Sequence, residues 1–389
     1  MNAVITNISS TETLTSAMGP VRILMAAGGT GGHVYPAIAI ADAIKEKHPD
    51  AEILFAGTRD RMEWTAVPKS GYEISSVWIS GFHRRLTPQN LLFPVKLLVS
   101  IVQSYKIIKK FKPDAVVACG GFASGPIGWT AAKTGIPLIL QEQNSFPGVT
   151  NRMLAKYASR IFTAFDDASE YLPKEKIMIA GNPVRANLAG MDKKEALEQF
   201  GFNENHPTLF VMGGSGGAKS VNDAMLQNLA YLHDELGLQI IWQCGARYLT
   251  ELKKTINTDA LPNLRLLDYI DNMAAAYAVS DLVISRAGAG ACSELMLTGK
   301  PAVLVPSPHV AGDHQAKNAE AMVADGAAVL LKDEDVQSSL HQVVDALIFD
   351  KKELNKMAEK ALALAKPDAA AIIADEVLQM VTQTSKKLN

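Results

Sequence analysis

Short apolar runs alternate with amphipathic segments along most of the chain, a pattern typical of strands alternating with helices. In the first half, such runs predict buried strands at residues 21–27, 52–55, 115–118, 137–140 and 160–163. Near residue 208 the pattern restarts, with strands predicted at residues 209–212, 239–244, 264–267, 282–285 and 302–305. Strands that alternate with helices favour parallel sheets covered by helices on both faces.

Each half of the chain opens on a strand, a glycine-rich loop and a helix. We therefore predict an α/β protein with two doubly wound, Rossmann-like parallel-sheet domains that face each other across a cleft. The turn signal Gly181-Asn182-Pro183 marks the joint. The predicted units are an extension at 1–19 expected to be disordered, an N-terminal domain at 20–181, a C-terminal domain at 182–367, and a helix at 368–389 for which packing back on the first domain is one arrangement.

Composition excludes several classes of protein. With 48% hydrophobic and 20% charged residues the chain has the profile of a globular protein, and a net charge of -2 gives no support to nucleic-acid binding. The three cysteines lie far apart without CxxC spacing, which argues against a disulfide framework or a zinc site and favours a reducing cytosol. Residues 1–19 lack the features of a secretory signal, and no apolar run reaches the roughly 18–20 residues of a spanning helix, so we expect a soluble or peripheral protein.

The two glycine loops fit neither of the common nucleotide fingerprints. In the first loop, Val34 occupies the last glycine position of GxGxxG, and the second strand ends without the acidic residue that would hold a ribose. The second loop reads GGSGGAKS and misses the P-loop pattern at Ala218, and no later strand ends in an aspartate suited to magnesium. The remaining hypothesis is that both loops present backbone N–H groups at helix N-termini to diphosphates or sugar hydroxyls. The alternative is that the glycines only permit tight turns. This alternative is less favoured because two such loops occur in matching positions of the two halves.

A set of motifs in fixed order points to one family. The motifs are Gly28-Gly29-Thr30-Gly31-Gly32-His33, Gln141-Glu142-Gln143-Asn144, Gly181-Asn182-Pro183-Val184-Arg185 and Asp313-His314-Gln315-Ala316-Lys317-Asn318. From about residue 21 to the C-terminal helix, the chain resembles the bacterial undecaprenyldiphospho-muramoylpentapeptide beta-N-acetylglucosaminyltransferases, the MurG family of GT-B glycosyltransferases. The resemblance implies inverting transfer of N-acetylglucosamine from UDP-GlcNAc to the 4-hydroxyl of undecaprenyl-diphospho-N-acetylmuramoyl-pentapeptide, in peptidoglycan synthesis. It also implies a peripheral location on the cytoplasmic side of the plasma or inner membrane.

The resemblance assigns candidate substrate-binding residues on both sides of the cleft. Glu294 would accept hydrogen bonds from the ribose hydroxyls, the backbone of Ile270 would contact uracil, and Gln315 would contact a sugar hydroxyl. The remaining candidates are Thr30, Gly31, Gly32 and Asn144 from the first domain, Arg185 at the joint, Ser215 in the second loop, and Ala289, Gly290, Ala291, Cys292 and Ser293 before Glu294. The sequence departs from the family pattern at Gly216, where glutamine is typical.

Two residues are candidates for the catalytic base. Inverting transfer requires a group that takes a proton from the acceptor hydroxyl. His33 stands at the edge of the first loop, and an ordinary pKa of about 6.5 suits it to this role. A purely structural hydrogen bond to the loop or a phosphate remains an alternative for His33, and Glu142 is the second candidate. No Asp-x-Asp pair stands where a metal site would be expected, so we predict a reaction without metal or other cofactor.

The segment between Phe82 and Lys112 interleaves cationic and large apolar residues. Arg84, Arg85 and Lys96 lie among leucines and valines, and such a segment can insert shallowly while its cations meet anionic head groups. The alternative is an amphipathic helix whose apolar face packs on the first sheet. We predict contact with an anionic membrane surface, because a polyprenyl acceptor of the implied kind stays in the bilayer.

Two other functions remain open at this level. A different UDP-sugar enzyme of the same architecture, such as a UDP-GlcNAc 2-epimerase, would share the donor site and lack a lipid acceptor. A non-enzymatic nucleotide-sugar sensor would bind UDP-GlcNAc without turnover.

Overall fold

The computed structural model describes residues 20–59, 61–81, 92–184, 188–310 and 313–388. Most of the chain forms two parallel sheets with helices around them. The predicted extension at 1–19, Arg84, Arg85 and Arg185 lie outside the described residues.

The first sheet has seven strands in the order β3-β2-β1-β4-β5-β6-β7. The strands are β1 Arg22–Ala26, β2 Glu52–Gly57, β3 Glu73–Ser76, β4 Ala115–Ala118, β5 Leu138–Glu142, β6 Arg160–Thr163 and β7 Ile177–Ile179. The helices of this half are α1 Gly31–Lys47, α2 Glu63–Lys69, α3 Phe93–Phe111, α4 Ser124–Lys133 and α5 Val149–Leu154.

The second sheet has six strands in the order β10-β9-β8-β11-β12-β13. The strands are β8 Thr208–Met212, β9 Gln239–Gln243, β10 Leu264–Leu267, β11 Leu282–Ser285, β12 Ala302–Leu304 and β13 Ala328–Leu330. The helices are α6 Lys193–Phe200, α7 Lys219–Ala230, α8 Ala246–Thr255, α9 Met273–Val279, α10 Ala289–Thr298, α11 His314–Ala324, α12 Val336–Ile348, α13 Lys351–Leu364 and α14 Ala369–Leu388.

The predicted pair of doubly wound parallel-sheet domains is confirmed, and three short strands were not predicted. These are Glu73–Ser76, Ile177–Ile179 and Ala328–Leu330, and each lies at an edge of its sheet. Glu73–Ser76 mixes polar and apolar residues, so it lacks the apolar run that predicted the others. Ile177–Ile179 and Ala328–Leu330 are apolar, but each has only three residues, which is shorter than the runs that indicate a strand. The central strand Ala115–Ala118, by contrast, is buried along its whole length.

Both sheets change their direction of growth at their first strand. Strand β1 lies between β2 and β4, and β8 lies between β9 and β11. In open parallel sheets, ligands bind beyond the carboxyl ends of the strands at such a switch point. Each glycine loop directly follows one of these two strands, so the topology places both loops at the expected ligand positions.

The last helix, Ala369–Leu388, leaves the second domain and packs against helix α1 of the first. Lys47 of α1 forms an ion pair with Asp375, with 2.8 Å between Nζ and Oδ1. The core of the first domain includes four buried residues of the last helix, namely Ile373, Ala374, Val377 and Val381. The chain therefore passes between the domains twice, near residues 181–184 and again near residues 365–368.

Candidate functional site

A cavity of about 1260 Å³ lies between the two domains at the carboxyl ends of both sheets. Its walls include both glycine loops and the N-terminal ends of α1 and α10. Twelve residues predicted from sequence line it: Thr30, Gly31, Gly32, His33, Asn144, Ser215, Ile270, Ala289, Gly290, Ala291, Glu294 and Gln315. Topology thus brings together residues that are up to 285 positions apart (315 minus 30).

Of the other four predicted residues, the three that the structure describes do not line the cavity. Glu142 is buried behind the wall, and Arg185 lies outside the described residues. The Cys292 side chain is fully buried in the core of the second domain, and the Ser293 hydroxyl donates to the carbonyl of Ala289. Neither side chain lines the cavity, so a contact from Cys292 or Ser293 to substrate would have to come from the backbone, and it stays a prediction.

The first glycine loop is held by a glycine turn that follows β4. Gly120 and Gly121 follow β4 with φ of +99° and +82°. A Cβ added to Gly121 would lie 2.0 Å from the carbonyl oxygen of Gly28, so only glycine permits the two turns to touch. The Ser124 hydroxyl donates to the carbonyl of Ala26 at 2.8 Å and fixes the turn to β1.

Glu63, which sequence analysis missed, supports the same loop from below. The side chain is buried, and its Oε2 accepts a hydrogen bond from the backbone N–H of Gly29 at 3.0 Å. Its Oε1 accepts from both the backbone and the hydroxyl of Thr58, at 3.0 and 2.7 Å. A buried carboxylate that is hydrogen-bonded in this way orders the loop at the mouth of the cleft.

His33 lies on the first turn of α1, at the cleft wall. Its Nδ1 is 3.1 Å from the hydroxyl oxygen of Thr30, and its ring packs against the Gly120 turn. Burial lowers the pKa of His33 below its ordinary value, while the charge of Glu142 is the largest of the influences that oppose this shift. The imidazole is therefore neutral at neutral pH and able to accept a proton.

The Glu142 carboxylate has a different environment, in which both oxygens are already engaged. Oε1 accepts from the backbone and side-chain nitrogens of Asn144, at 3.0 and 3.1 Å. Oε2 accepts from the backbone N–H of Gly148 at 3.0 Å and from Nδ2 of Asn151 at 2.8 Å. With four donors on two oxygens, Glu142 orders the loop that carries Asn144 into the cleft.

In the second glycine loop, Gly217 is tightly packed against the backbone of a neighbouring turn, whereas Gly216 has open space around it. A Cβ on Gly217, whose φ is +69°, would lie 1.9 Å from the carbonyl oxygen of Cys244. Gly216 is exposed, and a Cβ there would meet no atom within 4 Å. The residue that departs from the family pattern is thus the position in this loop where a side chain fits.

Glu294 lies in the second turn of α10, on the side that lines the cleft. The hydroxyl of Tyr277 donates to its Oε2 at 2.9 Å, which fixes the carboxylate. Gly288 precedes the helix in an extended conformation. The resulting helix start places the backbone of Gly290 and the carboxylate of Glu294 on the same wall of the cleft.

Ile270 and Gln315 complete this wall. Ile270 lines the cavity and its side chain is buried in the core of the second domain, so a contact from this residue to a ligand would come from its backbone. The Gln315 Oε1 accepts from the backbone N–H of Ser307 at 2.8 Å. A contact from Gln315 to a sugar hydroxyl would therefore come from its amide nitrogen.

A charged brace below the second loop also escaped sequence analysis. Arg286 donates from Nη1 to Asp333 Oδ1 at 2.5 Å and from Nη2 to the hydroxyl of Ser220 at 2.8 Å. The Ser220 hydroxyl in turn donates to Asp333 at 2.6 Å. These bonds connect the start of α7 to the ends of β11 and β13. The three residues lie far apart in the sequence, so no local pattern predicts their contact.

In the part of the chain that the structure describes, no group of three His, Cys, Asp or Glu side chains is placed to hold a metal ion. The described cysteines 119, 244 and 292 are free and buried.

Comparison with known proteins matches both halves of the chain to one family. Residues 23–163 match the glycosyltransferase family 28 N-terminal domain, and residues 208–373 match the glycosyltransferase family 28 C-terminal domain. A protein of Christiangramia forsetii is 45% identical over 363 residues, which cover 93% of this chain and 98% of that protein. It is named UDP-N-acetylglucosamine--N-acetylmuramyl-(pentapeptide) pyrophosphoryl-undecaprenol N-acetylglucosamine transferase, as is a Salinibacter ruber protein 45% identical over 92% of this chain and 96% of its own length.

Solved structures agree in fold. The crystal structure of Acinetobacter baumannii MurG superimposes with a TM-score of 0.70 and 30% identity, over 92% of this chain and 100% of the other. A UDP-N-acetylglucosamine 2-epimerase superimposes with a TM-score of 0.67 at 15% identity, over 93% of this chain and 96% of the other. The second likeness shows the shared two-domain architecture alone.

Proposed function

Because the chain belongs to glycosyltransferase family 28, we propose that it transfers N-acetylglucosamine from UDP-GlcNAc to the 4-hydroxyl of undecaprenyl-diphospho-N-acetylmuramoyl-pentapeptide, with inversion at the anomeric carbon. The observation that carries this proposal is the cleft. His33 of the first domain lines it on one side, and the glycine loop around Ser215 and the Glu294 carboxylate of the second domain line it on the other. The names of relatives at 45% identity over almost the whole chain support the same donor and acceptor.

His33 is the proton acceptor in this proposal. Its lowered pKa keeps the ring neutral at neutral pH, so that it takes the proton of the acceptor hydroxyl as that oxygen attacks the sugar carbon. The buried charge of Glu142 then stabilises the imidazolium that forms. In this scheme Glu142 is a positioning residue, because its two oxygens are occupied by the Asn144 loop.

The second domain stabilises the departing UDP. The loop around Ser215 and the N-terminus of helix Lys219–Ala230 present backbone N–H groups and the positive end of a helix dipole to the diphosphate. Glu294 binds the ribose hydroxyls, the backbone of Ile270 contacts uracil, and Gln315 binds a sugar hydroxyl. Arg185, which follows the domain joint in the sequence, adds a positive charge. Charge is offset by amides and arginine, so the reaction proceeds without a metal ion.

One assay separates this function from its alternatives. The protein is incubated with UDP-GlcNAc labelled in the sugar and with a lipid-linked muramoyl-pentapeptide. Transfer of label to the lipid with release of UDP supports the proposal. Conversion of the donor to its C2 epimer indicates an epimerase, and binding of UDP-GlcNAc without turnover indicates a sensor. Either of the last two results would refute the proposal.

The described part of the predicted membrane segment supports docking on a bilayer. Helix α3 buries its small residues Ser100 and Ser104, whose hydroxyls donate to carbonyls of the same helix. Ile108 of this helix is buried in the core of the first domain, but several of its other large apolar residues are exposed, and Leu98 is 66% exposed. We call Val95, Leu98, Val102 and Tyr105 the exposed stripe. These four side chains are open to solvent and are not packed on the sheet. No described helix is both long and apolar enough to cross a membrane.

We propose that this stripe rests on the cytoplasmic surface of an anionic membrane and brings the cleft to the lipid-linked acceptor. Each basic residue near such a surface contributes roughly 1 kcal/mol, so the attachment is reversible. The triple variant Arg84→Glu, Arg85→Glu, Lys96→Glu is expected to lose binding to vesicles with anionic lipid and to keep activity on a short, water-soluble acceptor. The control is Lys253→Glu, an exposed lysine of the second domain. Vesicle binding that survives the triple reversal would show that docking uses another face.

A further inference from the structure

Two tyrosines join the domains directly across the cleft. The hydroxyl oxygens of Tyr35 and Tyr269 are 2.6 Å apart, although the residues are separated by 234 positions. Tyr35 lies on helix α1, one turn after the first glycine loop, and Tyr269 directly precedes Ile270. An exposed ion pair between Lys69 and Asp271, at 3.6 Å, joins the same loop to the first domain.

The Tyr35 ring also contacts the first glycine loop itself. A Cβ built on Gly31 would lie 3.2 Å from its Cε2, so the ring packs on this glycine. A short series of contacts therefore runs from Gly31 through Tyr35 and Tyr269 to Ile270. Within its own domain, the loop at residues 268–272 is held by Gln243 Nε2 donating to the carbonyl of Asp268 at 3.1 Å, by Asn272 Nδ2 donating to Gln199 Oε1 at 3.0 Å and by the cap of α9.

We propose that Tyr35 and Tyr269 are positioning residues that hold the donor loop of the second domain, residues 268–272, in the arrangement that receives the nucleotide base. This inference rests on the proposed function, in which the backbone of Ile270 contacts uracil. The pair sets the donor loop against the acceptor-side glycine loop before the donor arrives, so part of the ordering cost of binding is removed in advance. The exposed Lys69–Asp271 pair adds little, because solvent screens it.

Removing either hydroxyl tests the inference and preserves both rings. A hydrogen bond of this kind has a net value of about 0.5–1.5 kcal/mol, which corresponds to a roughly 2- to 12-fold change in affinity. Tyr35→Phe and Tyr269→Phe are each expected to raise the KM for UDP-GlcNAc within that range, with kcat changed less than about twofold. The double variant should be no weaker than the weaker single variant, because both substitutions remove the same bond.

The matched control is Tyr72→Phe. The Tyr72 hydroxyl donates to Asp42 at 2.6 Å within the first domain, so this variant loses a bond of the same length that does not cross the cleft. Its donor KM should stay at the wild-type value. The inference would be overturned if the increases in KM of Tyr35→Phe and Tyr269→Phe multiply in the double variant. It would also be overturned if Tyr72→Phe raises the KM by a similar factor.

Hydrogen exchange gives a measurement that does not depend on catalysis. In Tyr35→Phe, amides in residues 268–273 should exchange severalfold faster than in the wild type, although the substitution lies in the other domain. Unchanged exchange in this segment would refute the positioning role. If the wild type transfers no sugar, the proposed function fails while the exchange result still decides whether the tyrosine pair holds the loop.

Discussion

The substitution Glu142→Gln separates a structural carboxylate from a catalytic one. In the variant, one of the two carboxylate oxygens is replaced by an amide NH₂, which cannot accept a hydrogen bond. If Oε1 is replaced, the two nitrogens of Asn144 lose their acceptor; if Oε2 is replaced, the nitrogens of Gly148 and Asn151 lose theirs. Hydrogen bonds to a charged group contribute about 1.5–3 kcal/mol each, so the loss of two should lower the free energy of unfolding by at least about 3 kcal/mol. For a domain of this size that corresponds to a drop of about 6–12 °C in Tm.

The same variant should change the pH dependence of transfer in a defined direction. The charge of Glu142 raises the pKa of His33 against the lowering effect of burial. Without that charge the pKa falls further, so the acid limb of kcat/KM, where activity is lost as His33 becomes protonated, should move to lower pH. For the wild type we expect this limb below the ordinary histidine value of 6.5, because burial lowers the pKa of His33 and keeps the ring neutral in more acidic solution.

Calorimetry and a pH profile of kcat/KM test both parts. The control is Glu52→Gln, a half-exposed carboxylate of the same domain whose ion pair with Arg22 lies at the surface, and its Tm should stay within about 2 °C of the wild type. A Glu142→Gln protein with unchanged Tm and a loss of transfer of about a thousandfold or more would refute the reasoning. That result would make Glu142 the base.

Further predictions concern the remaining groups of the cleft. His33→Ala should lower turnover more than donor affinity, and turnover near the wild type would favour Glu142 or water as the base. Glu294→Ala should weaken UDP-GlcNAc binding about 10- to 150-fold, from the 1.5–3 kcal/mol of a charged hydrogen bond, and unchanged affinity in calorimetry would remove it from the site. Gly216→Gln should leave Tm unchanged, while Gly217→Ala, which forces a Cβ against the Cys244 carbonyl, should cost about 3 kcal/mol; equal melting curves would contradict this. Full activity should survive EDTA, and a strict requirement for added magnesium would overturn the metal-free reaction.

The central strands were predictable because each carries its signal locally. A strand such as Ala115–Ala118 is covered on both faces, so its sequence is a continuous apolar run. The edge strand Glu73–Ser76 mixes polar and apolar residues and lies partly exposed, and no local pattern distinguishes it from a loop. Helix α3 shows the same limit: its amphipathic character is visible, but burial of Ser100 instead of Leu98 depends on the helix packed against it.

Most of the candidate site could be assigned from sequence because it lies in compact motifs. The residues that escaped act through partners far along the chain. Glu63 supports Gly29 from 34 positions away, and Tyr35 meets Tyr269 only because two sheets face each other. Such pairs have no spacing rule, since their distance in sequence is set by the topology and not by the period of a helix or strand.

The return of the last helix to the first domain has a consequence for biosynthesis. Domains generally fold as units while the chain is made, the N-terminal one first. Here the core of the first domain lacks Ile373, Ala374, Val377 and Val381 until the ribosome has passed the whole second domain and this helix. The N-terminal half therefore waits in an incomplete state through the synthesis of the whole second domain, with an apolar surface on α1 open to chaperones. Nascent chains stalled just before residue 369 should accordingly be far more sensitive to protease in the first domain than in the second.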